Sequence, residues 1–144
     1  MNGYLLDTST CIFLFRGNRN VENKLNDIEE SSCYITDIVV AELVFGAYYS
    51  DRIEDNLKQV EEFVAEMNVI PFDQTIQTFA QERAKLWKSG KKIEDFDLLI
   101  GCAAKAKDLI VVTHNRKHFE HIEGLKIEDW AVLNLTVLQL TVFS

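Results

Sequence analysis

Hydrophobic residues along the chain form short apolar runs that are separated by longer segments with helical spacing. The apolar runs predict buried strands at 4–6, 33–36, 69–72 and 109–113. The intervening segments predict six helices: one ending near Gly17, one at 21–29, one that holds Glu42, one at 53–67, one at 76–87 and one that holds Asp97. Short strands separated by helices imply a parallel sheet that is covered on both faces. We therefore predict a three-layer α/β/α domain with a central, mostly parallel sheet of four to five short strands.

The composition fits one domain with a substantial core. The chain has 144 residues, 47% of them hydrophobic. We assign 1–130 to this domain and 131–144 to a C-terminal extension, whose β-branched, partly alternating pattern favours an extra edge strand. The three cysteines, Cys11, Cys33 and Cys102, lie in apolar contexts and are expected to be reduced core residues.

The charge and hydropathy of the chain exclude some classes of protein. A formal net charge of -8 argues against a protein that coats nucleic acid through a surplus of Lys and Arg, but it does not exclude a nuclease with an acidic metal site. The N-terminus lacks a signal-peptide pattern, and no apolar run approaches the ~20 residues that span a bilayer. A cytoplasmic location without membrane association is therefore expected.

Four carboxylates lie within or beside apolar segments. Asp7 follows the first predicted strand, Glu42 interrupts the apolar run 38–45, and Asp95 and Asp97 begin the helix that continues to 104. A carboxylate removed from water is costly unless a positive charge pairs with it, and these runs contain no Lys or Arg. A metal ion is the simplest source of that charge, and hard oxygen ligands favour Mg²⁺ or Mn²⁺.

The predicted fold can bring several of these side chains together. Ligands of parallel sheets bind beyond the carboxyl ends of the strands, where Asp7 and Asn115 are expected. Glu42 and Asp97 each share a helix face with apolar neighbours three and four residues away, so both faces should turn inward. A divalent ion held there would support cleavage of a phosphodiester by a metal-activated water.

Each acid also has a purely structural interpretation. Asp7 is well placed to cap the helix that follows it. Glu42 would be satisfied by an Arg or Lys that is distant in sequence, and Asp95 is better placed as a helix N-cap than as a ligand. We predict the N-cap of the Glu42 helix to be Asp37.

Four segments carry motifs that occur together in a known family. They are LLDTS at 5–9, IVVAELVFGA at 38–47, IEDFDLLI at 93–100 and LIVVTHN at 109–115. In order and spacing they resemble the PIN-domain family, most closely its VapC-type toxins, and the resemblance extends over residues 4–130. It implies a metal-dependent endoribonuclease, a hydrolase that forms the toxin component of a type II toxin-antitoxin system.

The resemblance also implies roles for individual residues. By position, Asp7, Glu42 and Asp97 match the three central acids of the family, as metal ligands and catalytic residues, and Asn115 matches a polar catalytic position. The cofactor implied is Mg²⁺ or Mn²⁺. Supporting positions are Thr8, Ser9, Asp95, His118 and Glu120.

The chain departs from the family pattern at His118. VapC-like chains commonly carry Asp or Glu immediately before the residue that matches Phe119, whereas here Glu120 lies on its other side. Three interpretations are open. His118 binds a softer ion such as Mn²⁺, Glu120 substitutes after a small shift, or one ion is sufficient.

Contacts with substrate and partners are less clearly encoded. The basic residues expected to contact RNA are Arg16, Lys88, Arg116 and Lys117, although a solvated helix face explains Lys88 equally well. The resemblance implies a homodimer bound by a cognate antitoxin, with operator DNA contacted only through the antitoxin. Aromatic residues on the early helices, including Phe45, Tyr48 and Tyr49, line a partner groove or pack in the core.

Two other classes of function were compatible with parts of the sequence. The first is a catalytically inactive PIN-like module that acts through an antitoxin complex on operator DNA, which the His118 departure favours. The second is a phosphoacceptor domain of response-regulator type, but such domains have paired acids early in the chain, where Asp7 stands alone.

Overall fold

The computed structural model describes residues 3–132. The segment 133–144 lies outside the described residues, and so does the edge strand predicted for the C-terminal extension. The strands are β1 (Tyr4–Leu6), β2 (Cys33–Thr36), β3 (Asn68–Ile70), β4 (Ile110–Val112) and β5 (Ile127–Glu128). The helices are α1 (Thr8–Phe15), α2 (Arg19–Asn26), α3 (Asp37–Tyr48), α4 (Ile53–Glu66), α5 (Ile76–Lys88) and α6 (Asp95–Ala106), and single 3₁₀ turns occur at Glu30–Ser32, Phe72–Gln74 and Arg116–His118.

The five strands form one parallel sheet in the order β3-β2-β1-β4-β5. The central strands β1 and β4 are buried on both faces, and Leu5, Leu6, Val111 and Val112 have no exposed surface. Burial on both faces requires apolar residues at consecutive positions, which is the pattern seen in the sequence. The predicted three-layer α/β/α architecture is confirmed, and the fifth strand is the two-residue β5.

Helix caps explain where two of the helices begin. The Asp7 carboxylate accepts a hydrogen bond from the backbone N–H of Thr10 at 2.9 Å and caps α1. The hydroxyl of Thr36 caps α3 by accepting from the N–H of Val39 at 3.1 Å. The predicted cap at Asp37 is therefore wrong by one residue, because this carboxylate is inside the helix and accepts from the N–H of Phe72.

Helix α6 is connected to α5 by ion pairs near both of its ends. Lys105 lies 2.5 Å from the buried carboxylate of Glu82, and Arg83 pairs with Asp95 in the first turn of α6. A buried pair tolerates little displacement, because separating its members leaves a desolvated charge. The Lys105–Glu82 pair therefore holds the C-terminal end of α6 against α5, whereas the Asp95 side chain is 71% exposed and its ion pair contributes little.

The cysteines and helices agree with two further expectations. Cys11, Cys33 and Cys102 are free and buried, and desolvation raises the pKa of each thiol, that of Cys102 to about 12. Such thiols behave as small hydrophobic residues and not as metal ligands. Across residues 3–132, none of the helices has the length and apolar character that crossing a bilayer requires.

Candidate active site

Three of the predicted acids lie toward the carboxyl edge of the sheet. Asp7 directly follows the central strand β1, and its backbone N–H donates to the carbonyl of Val112 in β4 at 3.0 Å. Its side chain is buried, with 3% of its surface exposed. A carboxylate is thus held at the centre of the edge where parallel sheets place their ligands.

The Asp7 carboxylate is held by local donors. Besides the N–H of Thr10, the hydroxyl of Ser9 lies 2.8 Å from Oδ1 and 3.0 Å from Oδ2. Asp7 is therefore a helix cap, as the structural interpretation proposed. Capping uses mainly Oδ1 and does not remove the negative charge. A role as helix cap is therefore compatible with a role as metal ligand.

Glu42 extends from α3 toward the same edge. The hydroxyl of Thr8 donates to Oε1 of Glu42 at 2.6 Å, which connects the residue following Asp7 to the neighbouring helix. Burial raises the pKa of Glu42, the bond from Thr8 lowers it in part, and the negative charges of Asp97, Glu94 and Asp7 raise it further. Glu42 is consequently within electrostatic reach of three other acids.

Asp97 reaches the group from the first turn of α6. Its Oδ2 lies 2.8 Å from Nδ1 of His118. Burial raises the pKa of Asp97, the hydrogen bond and charge of His118 lower it, and the charges of Glu94 and Asp7 raise it. Glu42 and Asp97 therefore experience one shared field of negative charge, as neighbouring carboxylates do.

Glu94 is a member of this group that the sequence did not single out. It caps the N-terminal end of α6 by position, and its charge acts on both Glu42 and Asp97. Its spacing of three residues from Asp97 is the signal that would have identified it, because the N-cap residue and the third residue of a helix lie close together.

No basic side chain neutralises these acids within the described part of the chain. The salt bridges of residues 3–132 involve other acids, and the pair at Asp97 is with His118. The alternative interpretation, in which Glu42 pairs with a distant Arg or Lys, is therefore not supported among these residues. In the same range, no three His, Cys, Asp or Glu side chains are gathered closely enough to hold a metal ion as they stand.

Three predicted supporting or substrate-binding residues face elsewhere. Asp95 begins α6 and pairs with Arg83, so it is neither the N-cap nor part of the acidic group. Glu120 lines a pocket against the end of α5 with Lys85, because the turn after Phe119 directs it to that side. Arg116 donates to the carbonyl of Ile127 at 3.2 Å, beside β5.

The remaining predicted residues, Asn115, Lys88 and Lys117, are exposed to solvent. Asn115 is exposed; its N–H donates to the hydroxyl of Thr113, and its carbonyl accepts from the N–H of His118. It thereby shapes the turn that presents His118. Lys88, at the end of α5, and Lys117 are exposed to solvent.

A cleft of about 300 Å³ opens beside Glu42 between α1, α3 and α4. Its apolar floor includes Phe15 and Val60, and Arg16 and Asn56 add polar groups. Arg16 thus lines the same cleft as one of the acids, and a guanidinium is a common partner of phosphate.

Comparison with known proteins identifies the fold and its relatives. The PIN domain family model matches residues 4–125. The chain is 33% identical over 129 residues to the tRNA(fMet)-specific endonuclease VapC of Shigella flexneri, an alignment that covers 89% of this chain and 98% of the relative. It is 35% identical over 128 residues to the protein of the same name from Salmonella typhimurium, with 88% and 97% covered.

Solved structures agree with this relationship. The DNA-bound VapBC complex of Salmonella typhimurium contains a chain that superimposes with a TM-score of 0.84 at 36% identity, covering 90% of this chain and 99% of that one. A chain of VapBC2 from Rickettsia felis, bound to a DNA fragment from the promoter, gives 0.81 at 29% identity, with 88% and 98% covered. The chain therefore belongs to the PIN domain family and, within it, to the VapC proteins.

Proposed function

We propose that this VapC protein is an endoribonuclease that depends on Mg²⁺ or Mn²⁺ and acts as the toxin of a toxin-antitoxin pair. The observation that carries the proposal is the group formed by Asp7, Glu42 and Asp97. These three carboxylates act on one another electrostatically at the carboxyl edge of the sheet, without a Lys or Arg partner among residues 3–132. Mutually repelling acids that lack a Lys or Arg partner are expected where a cation binds.

The donor set suits a small divalent ion that keeps part of its water. Mg²⁺ is commonly held by one or two carboxylates together with waters and substrate phosphates, so it does not need a preformed cage of protein ligands. Asp97 has Oδ2 bonded to His118 and Glu42 has Oε1 bonded to Thr8. The other oxygen of each carboxylate receives no hydrogen bond from the described residues and remains available to an ion.

The protein residues would divide the chemistry of phosphodiester cleavage among them. A divalent ion at this site would supply positive charge for the phosphoryl oxygens and lower the pKa of a water molecule. Asp7 and Asp97 would hold the ion. Glu42, whose pKa is raised by burial, is suited to accept the proton of the attacking water. Thr8 would fix the orientation of the Glu42 carboxylate and Ser9 that of the Asp7 carboxylate, as hydrogen-bonding neighbours of metal ligands do.

RNA is the proposed substrate, with tRNA(fMet) the first to test, because two relatives at 33% and 35% identity bear that specificity in their names. The cleft beside Glu42 would accept one nucleotide next to the cleaved bond, with Arg16 contacting phosphate. This assigns the substrate contact to Arg16 and not to Arg116, whose guanidinium is engaged by β5.

A cognate antitoxin and a second copy of the chain are the proposed protein partners, with operator DNA bound through the antitoxin. Support comes from the similarity to chains of two DNA-bound VapBC complexes. The end of α3 also exposes three aromatic side chains, Phe45, Tyr48 and Tyr49, which are more than a solvated helix face normally carries.

Cleavage of purified tRNA(fMet) and of a defined RNA pool tests the proposal. Wild type should cleave with Mg²⁺ or Mn²⁺ and stop with EDTA, and Asp97→Asn should lose at least ~100-fold in rate, because the ion loses a charged ligand. Asp95→Asn is the matched control, since it makes the same chemical change two residues away in a pair with Arg83. It should cleave like wild type.

The same assay distinguishes the second candidate function. A non-catalytic module is favoured by one observation, the occupation of one Asp97 oxygen by His118. Such a module would leave both RNA samples intact with either metal while still binding its antitoxin. Metal-dependent cleavage that is unaffected by Asp97→Asn would contradict the assignment of these residues.

A further inference from the structure

We propose that His118 is a positioning residue for Asp97: it donates Nδ1–H to Oδ2 and thereby directs Oδ1 toward the divalent ion. The inference rests on the proposed function and extends it to a residue outside the set of acids. Nδ1 of His118 and Oδ2 of Asp97 are 2.8 Å apart, within the range of a strong hydrogen bond to a carboxylate.

The fold holds the backbone of both His118 and Asp97 in place. His118 ends the 3₁₀ turn Arg116–His118, and its own N–H donates to the carbonyl of Asn115 at 2.9 Å. The next residue, Phe119, is completely buried and packs against Gly101, one turn after Asp97 in α6. Because the turn and the helix are locked together by this packing, the imidazole reaches Asp97 from a fixed backbone.

The geometry favours a donor over a direct metal ligand. A ring nitrogen that donates its hydrogen to a carboxylate has no free lone pair for a metal. The other nitrogen of His118, Nε2, points away from Oδ2 on the opposite side of the ring. Joint ligation of one ion by Asp97 and His118 would therefore require this hydrogen bond to break.

Positioning has a specific value in a cluster of like charges. Asp97 is repelled by Asp7 and Glu94, so a freely rotating carboxylate would turn away from the other acids when no metal is bound. A donor on Oδ2 opposes this rotation and retains the carboxylate's charge, whereas a Lys or Arg would compete with the metal for it. Removing such a neighbour of a metal ligand typically weakens metal binding ~10–100-fold.

Mn²⁺ binding measured by electron paramagnetic resonance tests the proposal without relying on activity. The free-ion signal is titrated with wild type, Asp97→Asn, His118→Ala and His118→Asn. We expect Asp97→Asn to lose most of the binding and His118→Ala to bind ~10–100-fold more weakly. His118→Asn should recover most of the loss, because its amide nitrogen can occupy the position of Nδ1. The matched control is His121→Ala, an exposed histidine on the α5 side of the molecule, which should bind like wild type.

Electron spin-echo modulation on the same samples separates positioning from ligation. A positioning residue predicts no imidazole nitrogen coupled to Mn²⁺ in wild type. An imidazole coupling that disappears in His118→Asn, or His118→Ala binding as tightly as wild type, would overturn the proposal. Thermal unfolding without metal verifies that the variants are folded, as expected for a side chain that is 53% exposed.

Failure of this inference is distinguishable from failure of the proposed function. If wild type cleaves RNA with Mn²⁺ and Asp97→Asn does not, the function stands, and an unaffected His118→Ala refutes positioning alone. If wild type binds no Mn²⁺ and cleaves no RNA with Mg²⁺ or Mn²⁺, both are wrong.

Discussion

Replacing Gly101 with alanine should destabilise the protein and weaken its metal site together. Gly101 lies in the middle of α6 and has no side chain where the helix meets the 119–122 segment. A Cβ at this position would fall well inside van der Waals contact with Cδ1 of Ile122 and lie 3.2 Å from Cδ1 of Phe119. Both neighbours are buried, with 2% and 0% of their surface exposed, so neither can move without disturbing the core.

The magnitude follows from two opposing terms. Alanine in a helix interior is more stable than glycine by about 1 kcal/mol. An extra carbon forced into a closed core costs about 1–3 kcal/mol. The net effect of Gly101→Ala is therefore a loss of up to about 2 kcal/mol. Since Phe119 follows His118, the displacement should also lengthen the hydrogen bond between His118 and Asp97.

Gly46 provides the matched control. It is also inside a helix, α3, but a Cβ there would meet nothing within 4 Å. Gly46→Ala should stabilise by about 0.5–1 kcal/mol, so the difference between the two variants isolates the overpacking term. Urea unfolding followed by circular dichroism gives both values, and Mn²⁺ titration gives the effect on the site. Equal stabilisation by the two substitutions would refute the close packing of Gly101 against Ile122 and Phe119.

Three further predictions concern charge. Lys105→Met should cost about 2 kcal/mol in urea unfolding, below the ~3–5 kcal/mol of a fully buried pair, because Lys105 is 30% exposed and the buried Glu82 keeps a weaker contact with Lys85 at 3.6 Å. A change below ~0.5 kcal/mol would contradict this. In EDTA, Glu42→Gln should stabilise the protein at pH 7 but not at pH 3.5. Burial raises the folded-state pKa of Glu42. The free energy of unfolding of wild type therefore falls as pH rises from the unfolded-state pKa of about 4.3 through the folded-state pKa. If Glu42→Gln still stabilised the protein at pH 3.5, ionisation of Glu42 would be excluded as the cause. Mn²⁺ at ~100 times its dissociation constant should stabilise wild type by about 2.7 kcal/mol and raise its melting temperature. It should leave the melting temperature of Asp97→Asn nearly unchanged. Equal shifts in the melting temperatures of the two proteins would place the ion elsewhere.

The fold was accessible from the sequence because burial on both faces leaves a simple pattern. Strands such as β1 and β4 must be apolar at every position, so their location and parallel arrangement follow from local sequence. The two-residue β5 was not among the predicted strands, since a segment of that length has no periodicity. The cap of α3 was displaced by one residue because Thr36 and Asp37 are both good capping residues.

The site was accessible only in part, for a different physical reason. Asp7, Glu42 and Asp97 were recognisable because each is a charge in an apolar context. The directions of the Asp95 and Arg116 side chains were not recognisable from the sequence, because each depends on a partner in another element. Asp95 pairs with Arg83, and Arg116 donates to the carbonyl of Ile127. Sequence spacing predicts which face of a helix a residue occupies, but it does not predict which partner competes for its charge.

The contacts of the acids explain how such a cluster persists without a Lys or Arg partner among residues 3–132. Asp7 accepts from the hydroxyl of Ser9 and the backbone N–H of Thr10. Glu42 accepts from the hydroxyl of Thr8, and Asp97 contacts the imidazole of His118. A neutral donor satisfies one oxygen and leaves the charge in place, whereas a guanidinium would satisfy both oxygens and cancel it. The arrangement is therefore less stable than a set of buried ion pairs or amides would be, and this instability is relieved when a divalent ion binds. On this reasoning, stability gained by removing an acid and stability gained by adding the metal have one electrostatic origin, so the two gains should not add in the same molecule.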